Sequence, residues 1–272
     1  MGDEGRKQWI AGVFDRASDT YDDVGVRFFA VFGRRLVEVA GVAPGMDVLD
    51  VGTGRGAVLF PAAAAVTNTG TVTAIDLAEG MVSRTAADAH AEGLHHVDVQ
   101  LGDAESPDFP PESFDRVLSS LVIFFLPDPA KAVSAYHRLL RPGGRLGLTT
   151  FGPDDTQWQP VMERLRSFLP PGVPSPAAGP VGTAEKLDAM LRAAGFTEIE
   201  AVEEEHVTVL KDPEQWWRFS WSAGLRASLE RIPAEELDDV KRELLGLVDG
   251  IRDASGRLTI RSALRYTVAA KP

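Results

Sequence analysis

Apolar runs of strand length alternate with helical stretches along the first part of the chain. The runs are rich in Val, Ile and Leu and end in acidic or glycine-containing turns, which is typical of buried strands. They lie at residues 48–51, 72–76, 97–101 and 114–120. A fifth strand is predicted directly after Pro142-Gly143-Gly144, which we expect to stop the preceding helix. This alternation predicts an α/β fold.

The pattern continues on both sides of these strands. Residues 152–182 are rich in proline, and Thr183 is a plausible N-cap for the helix that follows them. The further elements predicted are helices at 7–17, 26–40, 159–168 and 183–194, a loop at 170–176, a strand at 197–210, a helical insertion at 212–253 and a closing strand at 258–270. We expect the 272 residues to form one elaborated domain.

The composition excludes several kinds of site and partner. Without cysteine there is no disulfide, no thiolate zinc site and no cysteine nucleophile. No segment resembles a signal peptide, and no apolar run approaches the ~20 residues of a membrane span. A net charge of −12 counts against nucleic acid and anionic membranes as partners. We expect a cytoplasmic protein that acts on a small molecule; the sequence does not indicate an oligomeric state.

A glycine turn follows the first strand and is the strongest candidate for ligand binding. Asp50 is followed by Gly52, Gly54 and Gly56 at every second position, before an Ala-rich helix. Such a turn brings backbone N–H groups to a ligand without a Cβ in the way. The Gly-x-Gly-x-Gly spacing differs from the Gly-x-Gly-x-x-Gly of dinucleotide-binding proteins.

Carboxylates and serines end the next strands. Asp76, at the end of the second strand, is placed to accept both hydroxyls of a ribose. Asp103 follows the third strand and either accepts from an adenine amine or simply forms a turn. Ser119 and Ser120 end the fourth strand.

Taken in order, these motifs resemble the class I S-adenosylmethionine-dependent methyltransferases. The set comprises the glycine turn, Ala74-Ile75-Asp76-Leu77, Gly102-Asp103-Ala104, Phe114-Asp115 and Leu140-Arg141-Pro142-Gly143-Gly144. It is most similar to the small-molecule branch that contains the ubiquinone/menaquinone-biosynthesis C-methyltransferases. The resemblance covers about residues 9 to 152.

The resemblance implies a fold and a division of the chain. The fold is a Rossmann-like, seven-stranded, mostly parallel sheet whose antiparallel last strand lies between the fifth and sixth. N-terminal helices precede the sheet, and a helical lid is inserted before the last strand. The implied parts are a helical cap (1–45), a cofactor-binding core (46–152), a Pro-rich segment (153–182) and the C-terminal half of the sheet (183–272) with its lid (212–253).

The resemblance also implies the cofactor, S-adenosylmethionine, and the residues that bind it. No metal is expected, because the methyl group of a sulfonium is already activated and no histidine spacing resembles a metal site. Tyr21 either covers the cofactor or is an ordinary packed aromatic. The implied cofactor residues are Tyr21, Asp50, Gly52, Thr53, Gly54, Gly56, Asp76, Leu77, Met81, Gly102, Asp103, Ala104, Ser119 and Ser120.

Aromatic residues are the candidates for an acceptor pocket. Trp217 and Trp221 share a helical face in the predicted lid. An aromatic-lined pocket for an apolar acceptor is one interpretation, and packing of the lid onto the sheet is the other. The candidate pocket residues are Phe124, Phe125, Trp158, Trp217 and Trp221.

The candidates for a catalytic group that accepts a proton are less distinct. Glu163 lies on the helix after the fifth strand, and His206 lies on the sixth strand. Either could face the pocket, although a structural or solvent-exposed role is the alternative for both.

The sequence therefore predicts methyl transfer to a small, largely apolar metabolite, at oxygen, nitrogen or carbon, as in specialised metabolism. Positioning of donor and acceptor is expected to drive the reaction. The alternatives are a cyclisation in the same fold and a nicotinamide-dependent dehydrogenase. The dehydrogenase is disfavoured by the glycine spacing and by the lack of a Tyr-x-x-x-Lys pair.

Overall fold

The protein, as a computed structural model describing residues 2–170 and 181–272, contains a central seven-stranded sheet. Most of the loop expected at 170–176 lies outside the described residues. The strands are β1 (Asp47–Val51), β2 (Thr71–Asp76), β3 (Val97–Leu101), β4 (Phe114–Ser120), β5 (Leu140–Phe151), β6 (Thr197–Leu210) and β7 (Leu258–Ala270).

The sheet has the order β3-β2-β1-β4-β5-β7-β6. Strands β1 to β5 pair in parallel, and β7 pairs antiparallel with both β5 and β6. The expected seven-stranded sheet, with its antiparallel last strand between the fifth and sixth, is therefore confirmed. The parallel strands end at one common edge, which is where open α/β sheets bind ligands.

Helices cover both faces of the sheet. They are α1 (Asp3–Ala17), α2 (Phe28–Val39), α3 (Leu59–Val66), α4 (Glu79–Ala91), α5 (Pro129–Leu139), α6 (Gln159–Ser167), α7 (Ala184–Ala193), α8 (Pro213–Ser222), α9 (Arg226–Leu229) and α10 (Leu237–Asp249). Buried side chains of α2, α3, α6, α8 and α10 share one apolar cluster, and those of α5 and α7 share a second. None of the helices within the described ranges is long and apolar enough to cross a membrane.

Side-chain caps explain where several helices begin. Asp128 and Asp212 each accept a hydrogen bond from a first-turn N–H, and each is followed by proline at the first helical position. Thr183 caps α7 as expected by accepting from the N–H of Lys186 at 3.3 Å. Asp22 lies farther back in the chain, yet its carboxylate accepts from three N–H groups at the start of α2.

The helix before Pro142-Gly143-Gly144 ends and passes directly into a strand, as predicted, but the strand begins earlier than expected. Helix α5 already ends at Leu139, and these residues belong to the start of β5. The N–H of Gly143 donates to Lys271 O, and the N–H of Lys271 donates to Gly144 O, both at 2.9 Å. These two hydrogen bonds pair the start of β5 with the residue just after β7.

Candidate functional site

A crevice lies at the common edge of the parallel strands. A smaller recess, lined by Asp50, Thr53 and Phe29, continues from it past the glycine turn. The structure brings every cofactor residue expected from the sequence to the crevice or the recess except Gly56 and Ser119. Those lining the crevice are Tyr21, Gly52, Gly54, Asp76, Leu77, Met81, Gly102, Asp103, Ala104 and Ser120.

The three glycines of the turn have different structural roles. Gly52 has φ +72°, and a Cβ there would collide with Val122. Gly54 has φ +52°, and a Cβ there would meet only Tyr21 Cε1, at 3.6 Å. Gly52 is therefore required by packing, whereas Gly54 keeps the wall of the crevice bare. Gly56 packs against the ring of Phe60 outside the crevice.

Asp76 shapes this turn as well as lining the crevice. Its Oδ2 accepts from the N–H of Gly54 at 2.8 Å, and its Oδ1 accepts from the N–H of Ala78 at 3.0 Å. Burial raises the pKa of the Asp76 carboxyl, although these N–H groups oppose the shift. The sequence indicated a ligand-binding role, but the bond to the glycine turn was not predicted.

Asp50 presents a buried carboxylate beside the recess. It is 1% exposed, and its Oδ2 has no hydrogen-bond partner among the described residues. Burial, with a contribution from the nearby Asp76 carboxylate, raises the pKa of Asp50 to about 7, although the Thr53 hydroxyl and the N–H of Leu59 oppose the shift. An acceptor oxygen left unpaired at this depth is costly unless a ligand donates to it.

Asp103 lies at the other end of the crevice, opposite the first helix. The ammonium of Lys7 contacts Asp103 Oδ2 at 2.7 Å and Glu105 Oε2 at 2.5 Å. Burial opposes the charge of Lys7, but the bonds to both carboxylates raise its pKa. Sequence reasoning missed Lys7; the signal that could have found it is the helical spacing of Lys7, Ile10, Ala11 and Phe14, all of which line the crevice.

The two serines at the end of β4 point in different directions. Ser120 lines both the crevice and the recess. Ser119 is buried, and its hydroxyl donates to Val51 O at 3.1 Å. Because neighbouring residues of a strand alternate between faces, only Ser120 reaches the ligand side.

Tyr21 begins a row of aromatic rings that leads away from the crevice. Its ring stacks on Phe29 at 4.9 Å between centroids, and Phe29 meets Phe28 at 5.1 Å. Phe219 of α8 covers Phe28, also at 5.1 Å. Burial raises the pKa of the Tyr21 phenol far above its usual value. Tyr21 therefore stays protonated.

A second row of rings also begins at the crevice. Phe14 meets Phe125 at 5.5 Å, Phe125 meets Phe124 at 4.7 Å, and Phe124 meets Phe151 at 5.9 Å. Phe14 also meets Tyr21 at 6.1 Å, so both rows begin at the same place. We call the two sets the aromatic rows.

Both aromatic rows end at one further cavity. Phe28 ends the first row and Phe151 ends the second, and both line this cavity. Phe151 is 46% exposed. We call this space the second cavity; its other large apolar lining residues are Trp158, Met162, Trp216 and Ile260.

The predicted pocket residues separate into two groups. Phe125 lines the crevice, Phe124 belongs to an aromatic row, and Trp158 lines the second cavity. Trp217 and Trp221 line neither space and instead meet edge to face at 6.1 Å within the lid. For these two, the geometry favours the alternative of lid packing. Their neighbour Trp216 lines the second cavity instead, and its ring centroid lies 5.7 Å from that of Trp158.

The two candidate catalytic groups are not brought to the crevice. Glu163 is exposed on α6 at the rim of the second cavity. His206 lies on β6, where its ring packs edge-on against Phe32, and it lines neither space. The expectation that His206 faces the pocket fails because that face of β6 is covered by α2.

The chain is similar to known proteins in the strands whose ends form the crevice. Residues 49–148, which contain β2 to β4 and most of β1 and β5, match the family described as a methyltransferase domain. The nocamycin O-methyltransferase of Saccharothrix syringae is 40% identical over 247 residues, covering 86% of this chain and 88% of that protein. The aklanonic acid methyltransferase DauC of Streptomyces sp. strain C5 is 43% identical over 150 residues, covering 55% of this chain and 68% of that protein.

Solved structures share the fold. The YcgJ protein of Bacillus subtilis matches with a TM-score of 0.62 at 20% identity, covering 89% of this chain and 98% of that chain. At this level of identity the likeness shows the architecture alone.

Proposed function

The chain belongs to the class I S-adenosylmethionine-dependent methyltransferases, and we propose that its acceptor is an acidic oxygen on an apolar, ring-containing metabolite. Its activity is methyl transfer from S-adenosylmethionine to a small molecule. The observation that carries the proposal is the pair of aromatic rows that join the crevice to the second cavity.

The residues of the crevice fit S-adenosylmethionine. We propose that the unpartnered Asp50 oxygen accepts from the ammonium of its methionine part and that Gly54 leaves room for the chain beside it. We assign Asp76 to the ribose hydroxyls and Asp103 to the adenine amine. When bound, the cofactor supplies a methyl group already activated on a sulfonium. The protein then has to align the acceptor and exclude water.

We propose that the acceptor enters through the second cavity and reaches the cofactor between the aromatic rows. Rings on both sides offer flat apolar walls, which suit a planar ring system and exclude water. The N-terminal residues and the lid close this path together. Gln215 of α8 donates to Val24 O at 3.2 Å, and Arg16 of α1 donates to Glu230 beside α9 at 2.8 Å.

The acidic oxygen follows from the groups available for proton transfer. Where the crevice meets the aromatic rows, Tyr21 is protonated, and the carboxylates that line the crevice, Asp76 and Asp103, are the ones we assign to the cofactor. Glu163 is exposed at the far rim, and His206 is covered by α2. A carboxylic acid, or a comparably acidic phenol or enol, is already ionised at neutral pH and needs no base.

The names of the relatives agree with this chemistry. One is named for transfer to oxygen and the other for an acid as the compound methylated. We therefore propose a metabolite of specialised metabolism that carries such a group.

The acceptor class is tested by transfer of a labelled methyl group to matched compounds. The set contains a polycyclic aromatic carboxylic acid, the corresponding primary alcohol and the corresponding amine. We expect turnover of the acid alone. At saturating S-adenosylmethionine its rate should change little between about pH 6 and pH 8, where the acid is fully ionised. Turnover of the alcohol or amine without turnover of the acid would contradict the proposal.

The acceptor path is tested by Phe151→Ala, with Phe168→Ala as the control. Phe168 is a half-buried ring at the end of α6 that packs under Arg164 and lines neither space. We expect Phe151→Ala to raise KM for the acceptor about tenfold or more, because losing contact with one ring costs about 1.5–3 kcal/mol. Affinity for S-adenosylhomocysteine should stay unchanged in both variants. Equal effects of the two substitutions on acceptor KM would argue against this path.

A further inference from the structure

Helix α1 turns one face toward the adenine end of the crevice. Lys7, Ile10, Ala11 and Phe14 recur at three- and four-residue spacing and line the crevice together. The end of α1 near the lid is fixed separately, because Asp15 Oδ1 accepts from the N–H of Gly80 at 2.7 Å. The Lys7 side chain is 12% exposed, and it connects this face of α1 to the carboxylates of Asp103 and Glu105.

Lys7 determines how the Asp103 carboxylate is held. Asp103 Oδ1 accepts from the N–H of Glu105 at 2.9 Å, and Asp103 Oδ2 accepts from Lys7. The same ammonium neutralises Glu105, whose side chain is 4% exposed and whose Oε1 accepts from the N–H of Asp128. Two carboxylates therefore share one positive charge.

Without that charge, Asp103 and Glu105 would repel each other. Glu105 is buried and anchored to Asp128, so it cannot turn away. Asp103 is the more exposed partner, with 32% of its side chain accessible, and would be held only by the N–H of Glu105 while its Oδ2 moves toward water. The carboxylate would then no longer face the crevice in a fixed orientation.

The orientation of Asp103 matters for the kind of purine that is accepted. A fixed carboxylate accepts a hydrogen bond from a 6-amino group and repels the oxygen of a 6-oxo group. We propose that Lys7 is a positioning residue that holds Asp103 for adenine and thereby sets the preference for a 6-amino purine in the cofactor. The inference rests on the proposed contact between Asp103 and adenine, and it is independent of the acceptor.

The test compares two ligands that differ only at this position of the ring. Affinities for S-adenosylhomocysteine and S-inosylhomocysteine are measured by calorimetry for the wild type, Lys7→Met and Lys7→Arg. Lys131→Met is the control, because Lys131 is an exposed lysine on α5. Thermal unfolding of each variant without ligand checks that the fold is retained.

We expect the wild type and Lys131→Met to prefer S-adenosylhomocysteine. In Lys7→Met this preference should fall on the order of tenfold or more, since a charge-assisted hydrogen bond loses its geometry. Lys7→Arg should recover part of it, and KM for S-adenosylmethionine in Lys7→Met should rise more than kcat falls.

Two results would overturn the inference. An equal loss of affinity for both ligands would make Lys7 a residue that only packs α1 over the crevice. Tighter binding of S-adenosylhomocysteine by Lys7→Met would mean that the lysine competes with adenine for Asp103. Methylation of the acid acceptor by the wild type is measured separately, so failure of the proposed function is distinguished from failure of the Lys7 assignment.

Discussion

Comparing Gly54→Ala with a control glycine substitution separates two effects: the stability lost to backbone strain and the affinity lost when a methyl group occupies the wall of the crevice. Gly54 has φ +52°, and the new methyl group would have no close protein contact other than Tyr21. Gly93 is the matched control, because it has φ +71°, is exposed after α4 and has no atom within 4 Å of an added Cβ. Each substitution should cost about 1–2 kcal/mol of unfolding free energy, because alanine is strained in this region.

Only in Gly54→Ala should S-adenosylhomocysteine, the product formed from the cofactor, no longer stabilise the protein against unfolding. S-adenosylhomocysteine at a hundred times its Kd stabilises the wild type by about 2.7 kcal/mol. If the methyl group at position 54 weakens binding a hundredfold, the same concentration stabilises by only about 0.4 kcal/mol.

The assay is urea unfolding with and without S-adenosylhomocysteine, on the wild type and both variants. Ligand stabilisation that persists at the wild-type level in Gly54→Ala would refute the idea that the cofactor lies against this bare backbone. Loss of stabilisation in Gly93→Ala would show that strain alone disturbs the site.

Further predictions concern two buried side chains, Asp50 and Trp158, and the half-buried Asp22. The affinity for S-adenosylhomocysteine should fall up to tenfold per pH unit below about pH 7. Asp50, with its raised pKa of about 7, must lose its proton before it can accept from the ammonium of the ligand. Calorimetry at several pH values should show this dependence, and Asp50→Asn should remove it. Asp22→Ala should destabilise the protein by about 2 kcal/mol or more in urea unfolding, since it leaves the first N–H groups of α2 without their cap. Trp158→Phe should cost about 1–3 kcal/mol in the same assay, because Trp158 Nε1 donates to Thr259 O at 3.0 Å inside the protein. Unchanged unfolding midpoints would contradict the last two.

The strands could be predicted because their signal is local. An apolar run with period two or an unbroken β-branched stretch identifies a strand without knowledge of its neighbours. The closing strands β6 and β7 therefore begin and end where the sequence placed them. The first residue of β5 was predicted after Gly144 but lies at Leu140, because pairing with another strand sets it. Its neighbour Arg141 pairs with Asp47 at 2.8 Å and Asp115 at 2.7 Å, and neither contact has a local sequence signal.

The acidic residues of the crevice were found by the same local logic. Parallel strands end at one edge of a sheet, so Asp50 and Asp76 had to lie near each other. Lys7 could not be placed in this way, because it lies 96 positions from Asp103 along the chain. The helical spacing of Trp217 and Trp221 defined a face of α8 correctly, but spacing does not reveal which neighbour that face meets.

The position of β7 has a consequence for how the chain folds during synthesis. Strand β6 pairs only with β7 within the described sheet, and β7 also joins it to β5. The sixth strand therefore leaves the ribosome long before its partner exists. Its glutamates, at positions 198, 200, 203, 204 and 205, keep its exposed edge charged in that interval. Like charges of this kind discourage two nascent chains from pairing with each other until the final strand arrives.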